Sequence, residues 1–151
     1  MGPERLKELQ EDFAKVYARL GEAVREDLSK GSIVIDGAIQ RFEFTFELAW
    51  KLLCARLQYN GIEADTPRAA VKEAYKAGMI VDGDGWIDML EDRNRTSHIY
   101  DEKTAKVIYK KICAQHYPLL GELVAKEGKW GRLLRSPRKA KSARNDGSDG
   151  A

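Results

Sequence analysis

Residues 93–100 read Arg-Asn-Arg-Thr-Ser-His-Ile-Tyr, an octet that combines a guanidinium, a carboxamide, an imidazole and a phenol within a short stretch. Arginine binds phosphate through two parallel hydrogen bonds and keeps its charge at physiological pH. Histidine gains and loses protons near neutral pH, and His98 is one of only two histidines in the chain. The octet therefore predicts chemistry on a phosphate group, most naturally that of RNA or a nucleotide.

Metal-independent cleavage of RNA is one reaction that these side chains suit. A ribose 2′-hydroxyl attacks the adjacent phosphate, and the reaction needs a base, an acid and a cation. One chain offers a single histidine in the octet, whereas a symmetric dimer offers two. We expect the two His98 side chains of a dimer to serve as base and acid, and Arg93 to bind the phosphate. Asn94 would orient the imidazole or the phosphate. Arg95 and Ser97 are weaker candidates for substrate contact.

The spacing within the octet also predicts how its members meet. Residues on a helix are about 100° apart, so Arg93 and His98 lie about 140° apart around the helix axis. The two side chains would meet most easily across a two-fold axis between two copies of this helix. Asp101 is a helix cap in the sequence pattern, and the turn it implies would bring the Tyr100 phenol toward the imidazole.

Roles without chemistry fit the same residues. His98 would act as a cation at a helix C-terminus, stabilised by the helix dipole, and Tyr100 as a packed aromatic residue. Arg93 would form an ion pair with a carboxylate on a solvated helix face, the candidates being Asp88, Glu91 and Asp92. Spacing alone leaves these alternatives open.

The distribution of charge limits how the chain would contact nucleic acid. The net charge is +2, but residues 129–151 hold seven Lys/Arg and two Asp, which leaves residues 1–128 with 19 Lys/Arg and 22 Asp/Glu. A general nucleic-acid binder carries its positive field on the folded domain. We therefore predict a domain at residues 1–128 with local RNA contact at the octet, and a basic, disordered tail at residues 129–151.

Cysteine usage and hydropathy predict a cytoplasmic protein. Cys54 and Cys113 lie singly within apolar helical patterns, as expected of reduced core thiols. No apolar run approaches the length of a membrane span, and the N-terminus lacks a signal-peptide core. No metal or cofactor is expected, because Cys113-x-x-His116 is a half-site without a second pair.

Helical periodicity runs through the chain, and no strand pattern interrupts it. We predict an all-α bundle with helices at residues 4–29, 33–59, 66–77 and 86–98, and a fifth that begins after Asp101 and kinks near Pro118. The second helix is apolar nearly all round, which predicts a central position with one flank in a homodimer contact. Its narrow polar strip, a salt-bridged face, consists of Glu43, Glu47 and Lys51.

The motif Arg93-x4-His98-x-Tyr100 matches that of the HEPN superfamily of small helical-bundle proteins, including its toxin branch. The chain also resembles the bacterial and archaeal nucleotidyltransferase substrate-binding proteins of that superfamily over about residues 5–125. The supporting segments, in order, are Arg41-Phe-Glu-Phe-Thr-Phe-Glu-Leu-Ala-Trp-Lys51, Thr66-Pro67-Arg68 and Trp86-Ile-Asp-Met-Leu-Glu-Asp-Arg-Asn94. Arg95, where an apolar residue is expected, and the tail after Gly128 lie outside the pattern.

The resemblance implies an up-and-down bundle of four or five helices that dimerises through the motif-bearing region. It also implies a minimal nucleotidyltransferase, encoded nearby, as partner in a toxin–antitoxin-like complex. Arg93 and His98 would then be RNase residues supported by Asn94, and the partner would silence them by attaching AMP to Tyr100. A bulky, negatively charged adenylate would repel a substrate phosphate. The alternative is a non-catalytic subunit that presents substrate or nucleotide to the nucleotidyltransferase.

Overall fold

The computed structural model describes residues 3–98 and 101–134, and within these ranges the protein is an all-α bundle without a strand, as predicted. Single 3₁₀ turns cover Leu28–Lys30 and Thr96–His98. A π-helical turn, Ile112–His116, joins the last two helical segments into one continuous helix. In chain order the helical segments are α1 (Pro3–Val24), α2 (Ile33–Tyr59), α3 (Pro67–Lys76), α4 (Gly83–Arg95), α5 (Glu102–Lys111) and α6 (Tyr117–Leu134).

Side-chain caps fix where three of these helices begin. The carboxylate or hydroxyl oxygens of Thr66, Asp82 and Asp101 accept hydrogen bonds from backbone N–H groups at the starts of α3, α4 and α5. The cap predicted at Asp101 is confirmed. Because Asp82 caps the backbone of Gly85 at 2.9 Å, α4 starts three residues earlier than the sequence pattern placed it.

Helix α2 is the centre of the bundle and packs against every other helix. The central position predicted from its nearly continuous apolar surface is confirmed. Its main apolar stripe is buried and comprises Ile35, Ile39, Phe42, Phe46, Ala49, Leu53 and Leu57. Apolar residues of α2 outside this stripe differ in burial, because Leu52 is buried whereas Phe44 is 58% exposed. One flank of α2 near Phe44 therefore faces away from the core.

A buried ion pair ties three helices together at the far end of α2. The Arg56 guanidinium lies 2.6 Å from Glu127 on α6, and both side chains are almost fully buried. Gln10 on α1 donates a hydrogen bond to the same Glu127 carboxylate at 3.0 Å. Charges buried in this way are tolerated only when paired and hydrogen-bonded. The polar cluster therefore fixes how α1, α2 and α6 align.

The helix from Glu102 to Leu134 accommodates a proline in its interior. Pro118 has no N–H to donate, and the turn before it widens so that the Tyr117 N–H donates to the Ile112 carbonyl, five residues back. A π turn lies where the sequence predicted a kink near Pro118. The helix continues to Leu134, six residues into the predicted tail. Residues 135–151 lie outside the described residues, so the division into domain and tail stays a prediction.

No helix within the described residues is long and apolar enough to cross a membrane.

Candidate functional site

The octet begins on the last turn of α4 and continues into the 3₁₀ turn that follows it. Helix α4 ends at Arg95, and Thr96–His98 form the 3₁₀ turn, where the sequence predicted a regular helix to residue 98. Tyr100, predicted as the modified residue, lies outside the described residues, as does Ile99. The geometry of the site therefore rests on residues 93–98 and on the helices that pack against them.

Arg93 faces α2 and does not lie on a solvated helix face. Its Nη1 atom lies 3.7 Å from Oε2 of Glu43, and both side chains are half-buried. The predicted pairing of Arg93 with a carboxylate of its own helix is therefore wrong. Those three carboxylates have other partners: Asp88 contacts Lys111, Glu91 contacts Arg68, and Asp92 contacts Arg95, Lys111 and His116.

The guanidinium of Arg93 is not saturated by protein contacts. Its Nε atom is buried and has no hydrogen-bond partner among the described residues. The 3.7 Å separation from Glu43 is an ion pair and is too long for a hydrogen bond. A guanidinium carries five N–H donors, so Arg93 keeps donors for a ligand oxygen.

His98 and Asn94 are exposed at the end of α4. The His98 side chain makes no hydrogen bond or ion pair with any other residue that the structure describes, Arg93 included. The Ser97 hydroxyl donates to the Asn94 backbone carbonyl at 3.0 Å, which closes the turn and leaves the Asn94 carboxamide in solvent. Within one protomer the described structure does not join the two predicted catalytic side chains.

The Arg95 guanidinium pairs with a buried carboxylate. Its Nη2 atom lies 2.5 Å from Oδ1 of Asp92, whose side chain is fully buried, while the Arg95 side chain remains 57% exposed. The arginine that stood out from the resemblance thus covers a buried carboxylate. More than half of the Arg95 side chain stays exposed, and its predicted weak contact with substrate stays a prediction.

A buried charge network lies beneath the octet. The Asp92 Oδ2 atom is 2.7 Å from Nε2 of His116 and 2.8 Å from Nζ of Lys111, which also contacts Asp88 at 3.0 Å. Burial alone would raise the pKa of the Asp92 carboxyl, but the hydrogen bonds from His116 and Lys111 outweigh it and lower that pKa to about 2. Asp92 is therefore an anion held in the interior by three cationic or polar groups.

Asp88, Asp92 and His116 also form the one cluster in the described residues with metal-ligand geometry, their donor atoms lying within 4.8 Å of one another. The Lys111 ammonium stands among these atoms, within 3.0 Å of both carboxylates. Two carboxylates raise the pKa of Lys111 despite its burial, so the ammonium stays charged. Lys111 thereby supplies the positive charge that a metal ion would bring.

Sequence reasoning missed this network because its geometry depends on the π turn. Lys111 and His116 are five residues apart, and on a regular α-helix they would point about 140° apart. The π turn Ile112–His116 adds a residue to that turn and places both side chains against Asp92. His116 is also fully buried and stacks on Phe42 at 5.3 Å. The sequence offers one signal of this turn, which is that His116 stands two residues before Pro118.

An open cleft of about 560 Å³ adjoins the residue that follows the octet. Its polar lining consists of Ser32, Asp36, Asp101, Glu102 and Lys106. Three carboxylates against one ammonium disfavour a phosphate ligand, because like charges in proximity repel. The cleft therefore does not suit a phosphate ligand, and the arginines of the octet stay the predicted phosphate contacts.

These features together define a helical-bundle protein that carries a half-buried arginine and an exposed histidine at the end of its fourth helix. Residues 8–127 match the family described as nucleotidyltransferase substrate binding protein like. Because this match covers most of the chain, the protein belongs to that family. The family's name implies association with a nucleotidyltransferase.

Two solved structures share the fold. One, from Thermus thermophilus, is 34% identical, covers 76% of this chain and 97% of its own, and gives a TM-score of 0.67. The other, from Haemophilus influenzae, is described as the fold of a substrate binding domain of a nucleotidyltransferase. It is 25% identical, covers 83% of this chain and 98% of its own, and gives a TM-score of 0.59.

A curated relative carries a more specific name. The Haemophilus influenzae protein called probable ribonuclease HepT is 38% identical over 84 residues, which make up 52% of this chain. The match spans 58% of that relative's length. The ribonuclease name belongs to that protein, and its activity bears on the present chain only as a proposal.

Proposed function

We propose that this protein is a HEPN-type, metal-independent endoribonuclease that works with a minimal nucleotidyltransferase in a toxin–antitoxin-like complex in the cytoplasm. The observation that supports this most directly is the difference in burial and contacts between its two histidines. His116 is buried and bound to Asp92, whereas His98 is exposed, unpaired within the described residues and five positions after Arg93. A reactive histidine needs access to substrate, and His98 has it.

The proposed reaction assigns one task to each group. His98 removes the proton from a ribose 2′-hydroxyl, whose oxygen attacks the adjacent phosphorus. The bond to the 5′-oxygen of the next nucleotide breaks, and the second imidazole of a dimer donates a proton to that leaving oxygen. Arg93 stabilises the negative charge that develops on the phosphate, and Asn94 supports it. The products are a 2′,3′-cyclic phosphate and a free 5′-hydroxyl.

Regulation is proposed to occur at Tyr100, two residues after His98. The tyrosine oxygen would attack the α-phosphorus of ATP held by the nucleotidyltransferase, with release of pyrophosphate and a proton. The resulting phosphodiester places a negative charge beside the position that an RNA phosphate must take, which would block substrate binding. The half-buried free cysteines Cys54 and Cys113 support the cytoplasmic location.

The dimer is proposed because the catalytic groups do not meet within one protomer. The exposed flank of α2 supports it: Phe44 is 58% exposed and follows Glu43, the residue that contacts Arg93. An exposed aromatic ring beside the site is suited to a contact between two copies.

Replacing Phe44 by aspartate is therefore expected to convert the dimer into a monomer, because it places a charge in the interface. Light scattering after size-exclusion chromatography measures the mass of the particle. RNA cleavage should decrease together with the fraction of dimer. Tyr75→Asp is the matched control, since Tyr75 is 55% exposed and packs against Gly83 at the opposite end of α4 from the octet. A Phe44→Asp protein that stays dimeric would contradict this placement of the interface.

The second candidate function is a non-catalytic subunit that presents substrate or nucleotide to the nucleotidyltransferase. The lack of contact between Arg93 and His98 in the protomer favours it, as does the family's description as substrate-binding. In that case both side chains would only hold phosphate, and His98→Gln would cause a modest loss of binding.

The deciding experiment measures cleavage of bulk RNA by the purified wild-type protein in EDTA, beside His98→Gln. Intact mass first establishes that the protein carries no adduct on Tyr100. Cleavage by wild type with cyclic-phosphate ends, absent in His98→Gln, is the expected result. No cleavage by the unmodified wild type would reject the nuclease and leave the binding subunit as the better account.

A further inference from the structure

Glu43 departs from the salt-bridged face predicted for α2. The other two members of that polar strip behave as predicted: Glu47 pairs with Lys51 at 3.3 Å and accepts a hydrogen bond from Trp50. Glu43, one turn earlier, instead turns toward α4, where a single oxygen, Oε2, meets both Arg93 and Thr96. The two glutamates therefore have different surroundings on the same helix.

The Glu43 carboxylate touches the octet at two points. Its Oε2 atom lies 3.7 Å from the Arg93 guanidinium and 2.5 Å from the Thr96 hydroxyl, which is also 2.7 Å from the Arg93 carbonyl. A hydroxyl has one proton to donate, and a charged acceptor binds it more strongly than a neutral one. Thr96 thus ties the start of the 3₁₀ turn to Glu43, and that turn carries His98 two residues later.

This arrangement has opposite effects on orientation and on affinity. Glu43 restrains the Arg93 side chain and the turn that bears His98. Its negative charge also lies close to any phosphate that Arg93 binds, and the two anions repel each other. A residue present only for phosphate binding would not be acidic here.

From these contacts we propose that Glu43 is a positioning residue, which orients Arg93 and the His98-bearing turn for attack on RNA at the expense of phosphate affinity. The inference rests on the proposed ribonuclease function and extends it to a residue outside the octet. Glu43 is expected to favour turnover and to weaken phosphate binding. A purely structural residue would not have these opposite effects.

The test uses Glu43→Gln in the full-length dimer, with Glu47→Gln as control. The carboxamide keeps the shape and can still accept the Thr96 proton, but it lacks the charge. We expect kcat to fall about ten-fold through misplacement of the reacting groups. We also expect the Kd for an uncleavable 2′-O-methyl oligonucleotide to fall about three-fold at low salt. Glu47→Gln should change neither quantity.

Thr96→Val separates orientation from charge, since it removes the hydroxyl and leaves the carboxylate. It should lower kcat without tightening oligonucleotide binding. Unchanged melting temperatures exclude unfolding, which cannot tighten binding in any case. Glu43→Gln with unchanged kcat, or with weaker binding, would overturn the inference. If wild type does not cleave RNA, the ribonuclease proposal fails, and the binding measurement still decides: tightening supports Glu43 beside the phosphate site, and its absence overturns it.

Discussion

Replacing either Arg93 or His98 by alanine is expected to lower kcat for RNA cleavage by about 10²- to 10⁴-fold. His98→Ala removes the proposed proton-transfer group, whose side chain is exposed. Arg93→Ala removes the cation that is proposed to stabilise the negative charge on the phosphate. Initial rates on a defined single-stranded RNA in EDTA measure the loss. Arg68→Ala is the control, because that exposed arginine lies outside the octet and pairs with Glu91 of α4 at 4.0 Å.

Mixing wild type with His98→Ala tests whether the two proposed imidazoles act in one site across the dimer axis. In a heterodimer of these two chains only one His98 imidazole remains. If one site uses a base and an acid from different protomers, the heterodimer is inactive, and random assortment of equal amounts leaves roughly a quarter of the wild-type activity. If each protomer acts alone, about half of the wild-type activity remains. Activity in the Arg93→Ala homodimer would contradict the catalytic assignment of the arginine.

Asp92→Asn is expected to lower the free energy of unfolding by about 3–5 kcal/mol, because it leaves Lys111 and His116 without their buried counter-charge. The amide has the same shape as the carboxylate, so the loss reports charge and hydrogen bonding. Urea unfolding measures it. Asp88→Asn is the matched control on the same helix: its side chain is 36% exposed and contacts Lys111 alone, so a change below about 1 kcal/mol is expected. Equal losses in the two variants would contradict a central role for Asp92.

Asp92→Asn should also alter how the stability of the protein responds to acid. In the folded protein the pKa of Asp92 is lowered from 3.8 to about 2, so the stabilisation it provides is complete above about pH 4 and is lost as the pH falls toward 2. Wild type should therefore lose more stability than Asp92→Asn over that interval. Chemical unfolding at several pH values below 5 gives the comparison.

Periodicity was sufficient to predict the fold, because local rules govern it. Helix α2 was predicted to the residue, since its apolar stripe and the glycines that flank it leave little choice of boundaries. The caps at Thr66 and Asp101 follow from the preference of these side chains for N-terminal N–H groups. The end of α1 was placed five residues late, because helical periodicity continues through Leu28 although the chain leaves the helix at Val24.

The site was predicted less completely, because its supports come from distant parts of the chain. The octet could be recognised from residue types, but the partners of Arg93 and Arg95 could not. Glu43 is fifty residues earlier, and local spacing had assigned it to a salt-bridged face of α2 with Glu47 and Lys51. Asp92 is buried, although the charge pattern of α4 had placed it on a solvated face. Long-range packing, which single-sequence patterns do not encode, determines which carboxylate neutralises which arginine.

The π turn at Ile112–His116 makes the number of residues in this segment as important as their identity. Deleting one residue there would restore an ordinary helical repeat and rotate everything that follows by about 100° relative to α5. Composition and hydropathy would scarcely change, yet His116 would no longer meet Asp92. A one-residue gap at this point in a related sequence would therefore mark a protein that supports its motif differently. The buried carboxylate depends on the length of the chain between Lys111 and Pro118.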